Sequence, residues 1–564
     1  MNENQTTPMS TEIAEKSPGE RAPGFPLKTV RIRWTGFFLG LILSTLVYAI
    51  MPDSVAHDAR LTAGVAVLMA VWWMTEALPI PATSLVPLVA FPVFGSEIEM
   101  ADVGASYGNP IIFLFLGGFL IALSMQRWNL HRRIALFTLS LMGNRPGPMI
   151  AGFMIATGFM SMWVSNTATA VMMLPIGISV LMIVAKVVGS AITPAEATDR
   201  SDSTRSSATT DGSAPDAGTG AGTGADTAPG AGPGPDSEVG LGHVVKSNFG
   251  TALMLGIAYA ASIGSLGTII GTPPNTLLAG HMAAEHGVEI GFGQWMLVGV
   301  PIAVVLLFAC WFLLTRVLFR PEIDEVPGGR DLIATELARL GRMSAPEAKV
   351  LAVFVLAALA WITVPLISEY VLDLESPLLS DAAIAIVVGL ILFLLPAGGG
   401  AGRGVRLLDW EAAKELPWGV LLLFGGGLAL SGQFSKSGLS TWLGEQVKGF
   451  GDIPVWVLVV IAAVGILLLT EMTSNTATAA TFLPVASGVA LGTGVAPLML
   501  AAPVALAATC AFMLPVATPP NAIAYGSGYV TIGQMVKGGV WLNIIAAVLI
   551  SLASMTLLVW VFGL

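Results

Sequence analysis

Ser165-Asn166-Thr167-Ala168-Thr169-Ala170 recurs without a change as Ser474-Asn475-Thr476-Ala477-Thr478-Ala479, and both copies interrupt otherwise oily stretches. Polar residues repeated at corresponding points in hydrocarbon mark a membrane protein whose site is assembled from two halves. Outward from the hexapeptides, apolar residues fill 147–188 around the first copy and 454–490 around the second. Each stretch reads as a re-entrant helical hairpin with the hexapeptide at its tip, because backbone breaks at membrane depth only where protein or a wet cavity satisfies its polar groups.

The rest of the chain agrees with a bilayer setting. Of 564 residues, 54% are hydrophobic and 11% charged, more apolar surface than one water-soluble core absorbs. Windows long enough to cross about 30 Å of hydrocarbon, roughly 17–25 residues, fall at 35–51, 61–79, 81–95, 110–126, 248–270, 293–318, 347–371, 380–396, 417–433, 495–516 and 539–563. The expected fold is all-α and polytopic, with about 11 transmembrane helices plus the two hairpins. The net charge of −10 lies largely in hydrophilic segments, where carboxylates are solvated, and implies no nucleic-acid partner. Cys310 and Cys510 sit in separate apolar runs, and His57, His131, His243, His281 and His286 are scattered, so neither a disulfide framework nor a metal centre is expected. No signal-peptide pattern opens the chain, and the first span is expected to stay as an anchor.

Residues 1–33 read as a disordered cytoplasmic tail, 191–242 as a disordered cytoplasmic linker without an aromatic, and 319–346 as a cytoplasmic loop. Lys28, Arg31 and Arg33 precede the first span, and Arg127, Arg132 and Arg133 follow the fourth. Positive charge favours the cytoplasmic side. Arg316, Arg320, Arg330, Arg339 and Arg342, then Arg403, Arg406 and Lys414, fall at points that agree with the same count. The amino terminus is therefore expected inside and the carboxyl terminus outside, with the two hairpins entering from opposite faces. That is an inverted-topology repeat, 34–318 against 347–564.

Further matches support it. Leu174-Pro175 and Leu483-Pro484 follow the two hexapeptides at the same distance, and Gly271-Thr272-Pro273-Pro274-Asn275 pairs with Ala517-Thr518-Pro519-Pro520-Asn521. The hexapeptides lie 309 residues apart (165 to 474) and the Thr-Pro-Pro-Asn copies 246 apart (272 to 518). The shortfall is close to the length of the linker region, so the halves are collinear without it. A weaker echo sets Ala122-Leu123-Ser124-Met125-Gln126 against Ala429-Leu430-Ser431-Gly432-Gln433.

These residue types suggest ion chemistry. Ser, Asn and Thr begin helices and leave amide N–H groups facing the tip, which suits a carboxylate or sulfate. The paired prolines break their spans and free carbonyls, which suit a small hard cation such as Na⁺. No Lys or Arg lies in the four motifs. A dianion in a low-dielectric site then needs its counter-charge from elsewhere, which bound cations can supply, so cation coupling is expected. Close helix packing accounts for one Ser-Asn-Thr motif alone, but not for two copies paired with two broken spans. Glu76 and Glu471 are ionisable residues near a span end and a tip, each open to reading as a proton or cation site or as a hydrogen-bonded end residue. Gly117-Gly118 and Gly425-Gly426-Gly427 read as helix-packing contacts. No nucleophile, base or metal cluster marks an enzyme, and no folded soluble domain marks a sensor.

With Trp73-Met74-Thr75-Glu76-Ala77-Leu78-Pro79 added, the set resembles the divalent anion:sodium symporter family over nearly the whole membrane portion. The resemblance implies a homodimer in the cell membrane, with scaffold and transport domains and an elevator motion across the lipid bilayer. It implies one Na⁺ site at Ser161, Ser165, Asn166 and the backbone near Gly271, and another at Thr470, Thr473, Asn475 and the backbone near Ala517. Substrate contacts are implied at Asn166, Thr167, Thr272, Pro273, Ser474, Asn475, Thr476, Thr518 and Pro519. The expected function is Na⁺-coupled import of C4-dicarboxylates such as succinate, fumarate or malate. The alternatives are a sodium-independent dicarboxylate exchanger and a Na⁺-coupled sulfate, citrate or tartrate transporter.

Overall fold

Proline and hydroxyl or amide caps set most of the helix starts. The computed structural model describes residues 24–196, 247–326, 328–374, 377–400, 402–449 and 453–564. Within these, α1 (Leu27–Ile50), α2 (His57–Thr75), α3 (Val86–Phe94) and α4 (Pro110–Arg127) lead to a short α5 (Leu130–Ser140). The first hexapeptide region follows as α6 (Pro146–Ser161) and α7 (Asn166–Glu196), then α8 (Asn248–Gly264), α9 (Pro273–His286) and α10 (Phe292–Phe312). The chain continues through α11 (Gly329–Leu340), α12 (Ala345–Tyr370), α13 (Asp381–Leu394), α14 (Trp418–Lys436) and a short α15 (Leu439–Lys448). The second hexapeptide region is α16 (Val455–Thr470) and α17 (Asn475–Thr493), followed by α18 (Pro497–Thr509), α19 (Pro519–Gly526) and α20 (Ile532–Met555). Asn109 accepts from the Ile111 N–H at the head of α4, and Ser344 with Glu347 forms a reciprocal cap on α12. Thr531 with Gln534 does the same for α20.

The order of a long helix, a short helix, two arms around a hexapeptide, a broken helix and a final long helix therefore occurs twice, as α4–α10 and α14–α20. Among the described residues, eight helices are long and apolar enough to cross a membrane. The α8 window is wholly buried within the protein, whereas only 11% of the α1 window is, so α8 runs through the core and α1 lines the outside. Exposed Phe38, Ile42 and Leu46 on α1, and Ile544, Val548 and Leu552 on α20, give these helices faces suited to lipid.

Several expectations need correction. The predicted tail reaches 33, but α1 already begins at Leu27; residues 1–23 lie outside the described residues. The predicted linker starts at 191, but α7 continues to Glu196; residues 197–242 lie outside the described residues. Pro81 and Pro87 divide 81–95 into Ile80–Thr83 and α3, since proline in a first turn seeds a helix start and has no N–H to extend the hydrogen-bonding of the segment before it. The loop at 319–346 contains α11, and α5 and α15 were not expected at all, because these short amphipathic helices fall below any spanning-length window.

Charge ties pin the segments between spans. Arg133 pairs with the buried Glu347 at 3.1 Å and donates to the carbonyl of Gly341 at 2.9 Å, joining α5 to the start of α12. Trp128 Nε1 donates to the Leu407 carbonyl at 2.7 Å. The Arg127 guanidinium, 2.5 Å from Asp409, and the Ala412 N–H hold the Asp409 carboxyl down at about 2. Deeper in, the two ring nitrogens of His281 on α9 pair with Ser431 of α14 and Ser487 of α17.

Glycine sets the closest helix approaches. A Cβ on Gly117 would meet the Ala385 backbone of α13, and one on Gly426 would meet the Ser84 backbone. On α8, a Cβ at Gly264 would overlap the Gly158 carbonyl of α6. Gly264→Ala is therefore expected to cost about 1–3 kcal/mol by overpacking and to lower the melting temperature in detergent. Gly465→Ala on α16, where an added Cβ meets nothing within 4 Å, is expected to be neutral in the same measurement.

Candidate functional site

Both hexapeptides lie at breaks between helices. Residues 162–165 separate α6 from α7, and 471–474 separate α16 from α17, with the new helices starting at Asn166 and Asn475. The first three N–H groups of each have no acceptor within the helix. Ser165 Oγ accepts from the Ala168 N–H at 3.3 Å, whereas Ser474 makes no such side-chain cap. Ser165 and Thr167 are exposed, and Asn166, Ser474, Asn475 and Thr476 are half-buried.

The broken spans supply the facing backbone. After α8, a short turn at Ser265–Gly267 and an extended Thr268 lead to Thr272 and the Pro273-Pro274 start of α9. After α18, residues 510–517 are without helix until Thr518 and the Pro519-Pro520 start of α19. Thr272 and Thr518 are buried, Pro273 is half-buried and Pro519 exposed. A Cβ at Gly271 would collide with the Ser265 carbonyl, so the turn requires glycine there. Gly271 and Ala517 are both buried.

The hydroxyls placed before each tip behave alike. Ser161, fully buried, donates to the Ala261 carbonyl at 2.5 Å, tying the end of α6 to α8. Thr470, also fully buried, has two acceptors at 2.8 Å, the Ala508 carbonyl on α18 and Asn475 Oδ1. A hydroxyl has one hydrogen. Donation to Ala508 leaves oxygen lone pairs on both Thr470 and Asn475 for a cation. Thr473 Oγ1 lies 2.7 Å from Thr478 Oγ1 and 2.9 Å from the Leu469 carbonyl. All side-chain atoms in these contacts are neutral oxygens, the donor set a small hard cation takes.

The two halves also touch each other. Thr272 Oγ1 and Thr509 Oγ1 lie 3.4 Å apart, linking the break after α8 to the end of α18. Packing crosses in the same way, with α7 against both α8 and α19, and α17 against both α18 and α9. Each hexapeptide helix therefore packs on its own broken span and on the far limb of the other. Among the described residues, no hydrogen bond joins Ser165, Asn166 or Thr167 to Gly271 or Thr272.

Glu471 has a structural role that spacing did not disclose. Its carboxylate is 1% exposed and receives the N–H of Phe512 at 2.7 Å, of Met513 at 2.9 and 3.0 Å, of Leu514 at 3.1 Å, and Asn543 Nδ2 at 2.7 Å. It thereby fixes the unwound backbone after α18 from the second tip. Its position three residues before Ser474 was the one sequence signal. The first half uses another device at the matching place, where Thr268 Oγ1 donates to the Met162 carbonyl at 2.5 Å. Glu76 lies elsewhere, with a 60% exposed side chain paired to Arg33 at 3.3 Å.

A family profile described as the sodium:sulfate symporter transmembrane region matches residues 32–564. A protein of Staphylococcus saprophyticus named sodium-dependent dicarboxylate transporter SdcS is 41% identical over 94% of this chain and 92% of its own length. The protein of the same name from Staphylococcus aureus is 40% identical over the same shares. Among solved structures, the Alcanivorax borkumensis YdaH transporter aligns with a TM-score of 0.50 at 15% identity, covering 94% of this chain and 98% of that one. That likeness concerns the fold alone.

Proposed function

We infer, for a chain that belongs to the sodium:sulfate symporter family, that it imports C4-dicarboxylates such as succinate, fumarate or malate together with Na⁺. The observation that carries this reading is the pair of breaks, where new helices start beside oxygen-rich, unwound backbone and no Lys or Arg lies in the four motifs. The N–H groups of α7 and α17, with the Thr and Asn side chains of the motifs, suit the two carboxylates. Na⁺ at Ser161, Ser165, Asn166 and the Gly271 backbone, and at Thr470, Thr473, Asn475 and the Ala517 backbone, supplies the positive charge these neutral donors lack. A dianion without that charge is costly in a low-dielectric site, so the substrate binds well only when the ions do. That dependence is the coupling.

In this reading, 34–318 and 347–564 are inverted repeats in a homodimer, with the amino terminus cytoplasmic and the carboxyl terminus outside. The two hexapeptide regions and broken spans form the transport unit, which moves as an elevator against a scaffold built from the remaining spans. The sodium dependence and dicarboxylate substrates in the names of the staphylococcal relatives support the Na⁺-coupled dicarboxylate transport in this reading. Uptake of labelled succinate into proteoliposomes is the test. An inward Na⁺ gradient is expected to drive accumulation; a rate unchanged when K⁺ or choline replaces Na⁺ would refute coupling.

A further inference from the structure

The two Asn residues that close the Thr-Pro-Pro-Asn motifs share one hydrogen-bond pattern. Asn275 Nδ2 donates to the carbonyls of Ser265 at 3.4 Å, Leu266 at 3.2 Å and Thr268 at 2.9 Å. Asn521 Nδ2 donates to the carbonyls of Ala511 and Leu514, both at 3.1 Å. In each half the partners include the residues ten and seven positions earlier. The amide orientation is settled by chemistry, because every partner of Nδ2 is a carbonyl oxygen, and a flipped amide would set oxygen against oxygen.

The consequence falls on the other end of each amide. Asn275 is 1% and Asn521 0% exposed, and the Oδ1 atom of each is buried without a hydrogen-bond partner. A buried acceptor left unpaired costs about 1–3 kcal/mol. Asn543 and Asn144 also carry such an oxygen, but among the described residues only Asn275 and Asn521 carry it at matching positions of the two broken spans, in the first turns of α9 and α19, four residues after Gly271 and Ala517.

We propose that Oδ1 of Asn275 and Oδ1 of Asn521 are cation ligands, one in each half, beyond the residues assigned above. The proposal rests on the Na⁺-coupled reading of the same site. Each amide then works at both ends, its nitrogen bracing the unwound loop and its oxygen facing the ion. Coordination at the oxygen polarises the amide and strengthens its N–H donors, as linked hydrogen bonds reinforce one another. Ion binding thereby stiffens the loops that carry Thr272 and Thr518.

The test is thermal unfolding of the purified, full-length protein in detergent, titrated with NaCl at constant ionic strength against choline chloride, without substrate. Wild type is expected to be stabilised by Na⁺ and not by choline. Asn275→Ala and Asn521→Ala are each expected to raise the half-saturating Na⁺ concentration about 10-fold or more, from the loss of one ligand oxygen worth about 1.4 kcal/mol. Asn275→Asp and Asn521→Asp lose the nitrogen donors but keep an oxygen and add charge, so they are expected to melt lower without Na⁺ and to gain more from it than wild type. These Asp variants decide the matter if the Ala variants do not fold. An unchanged Na⁺ midpoint in the Ala variants, or Asp variants that gain no more from Na⁺ than wild type, would overturn the proposal and leave the two residues as loop braces. Absence of Na⁺ stabilisation in wild type would instead count against the coupled reading itself.

Discussion

Glu471→Gln is expected to abolish uptake and to lower the melting temperature sharply. The carboxylate accepts the backbone N–H groups of Phe512, Met513 and Leu514 together with Asn543 Nδ2, all from a 1% exposed position. Glutamine keeps one acceptor oxygen but turns an NH₂ toward donors that have no lone pair to offer. Each N–H left unpaired costs about 1–3 kcal/mol, and breaking a buried charged network costs about 3–5 kcal/mol. That is a large share of a total stability of about 5–15 kcal/mol. Asn543→Ala removes one donor and leaves the three backbone groups paired, so it is expected to be milder. Thermal unfolding in detergent and succinate uptake, measured on both variants, check this. Wild-type melting and uptake in Glu471→Gln would show that the network does not hold the loop after α18.

Asn475→Ala and Asn166→Ala are expected to reduce uptake by about 100-fold or more, the effect of losing one ion contact and one substrate contact at about 1.4 kcal/mol each. The fold is expected to survive both changes. Thr470 keeps the Ala508 carbonyl at 2.8 Å when Asn475 Oδ1 is removed, and Asn166 makes no side-chain hydrogen bond among the described residues. Loss of uptake with an unchanged melting temperature in Na⁺-free buffer is therefore the expected signature. Near-normal uptake in both variants would contradict the assignment of the two hexapeptides.

The two positions differ in how much of their role was readable. Asn166 and Asn475 announce themselves as first residues of helices, because Ser-Asn-Thr after an apolar run is a start signal in any context. The helix limits bear this out at both copies. Glu471 was visible only as a charge near a tip, and its partners lie 41 to 72 residues away. No local pattern could distinguish a carboxylate that binds an ion from one that caps unwound backbone. The short α5 and α15 escaped for a different reason, since they are amphipathic pieces in a chain where apolar length is the dominant signal. The early start of α1 at Leu27, against a predicted 35, shows the same bias, because Lys28, Arg31 and Arg33 lowered the apolar count without preventing helix.

Sequence by itself determined the membrane class, the paired motifs, the helix starts at Asn166 and Asn475, and the breaks at the proline pairs. All of these follow from short-range rules: hydrocarbon thickness, N-terminal capping, and the missing N–H of proline. Only the tertiary structure decided which hydroxyl meets which carbonyl, that Thr272 touches Thr509, that Glu471 holds the loop after α18, and that two buried Asn oxygens are left without a donor. Those facts depend on segments distant in the chain arriving side by side. A hydrogen bond is decided within about 3.5 Å, a tolerance that the spacing of residues along a sequence does not carry.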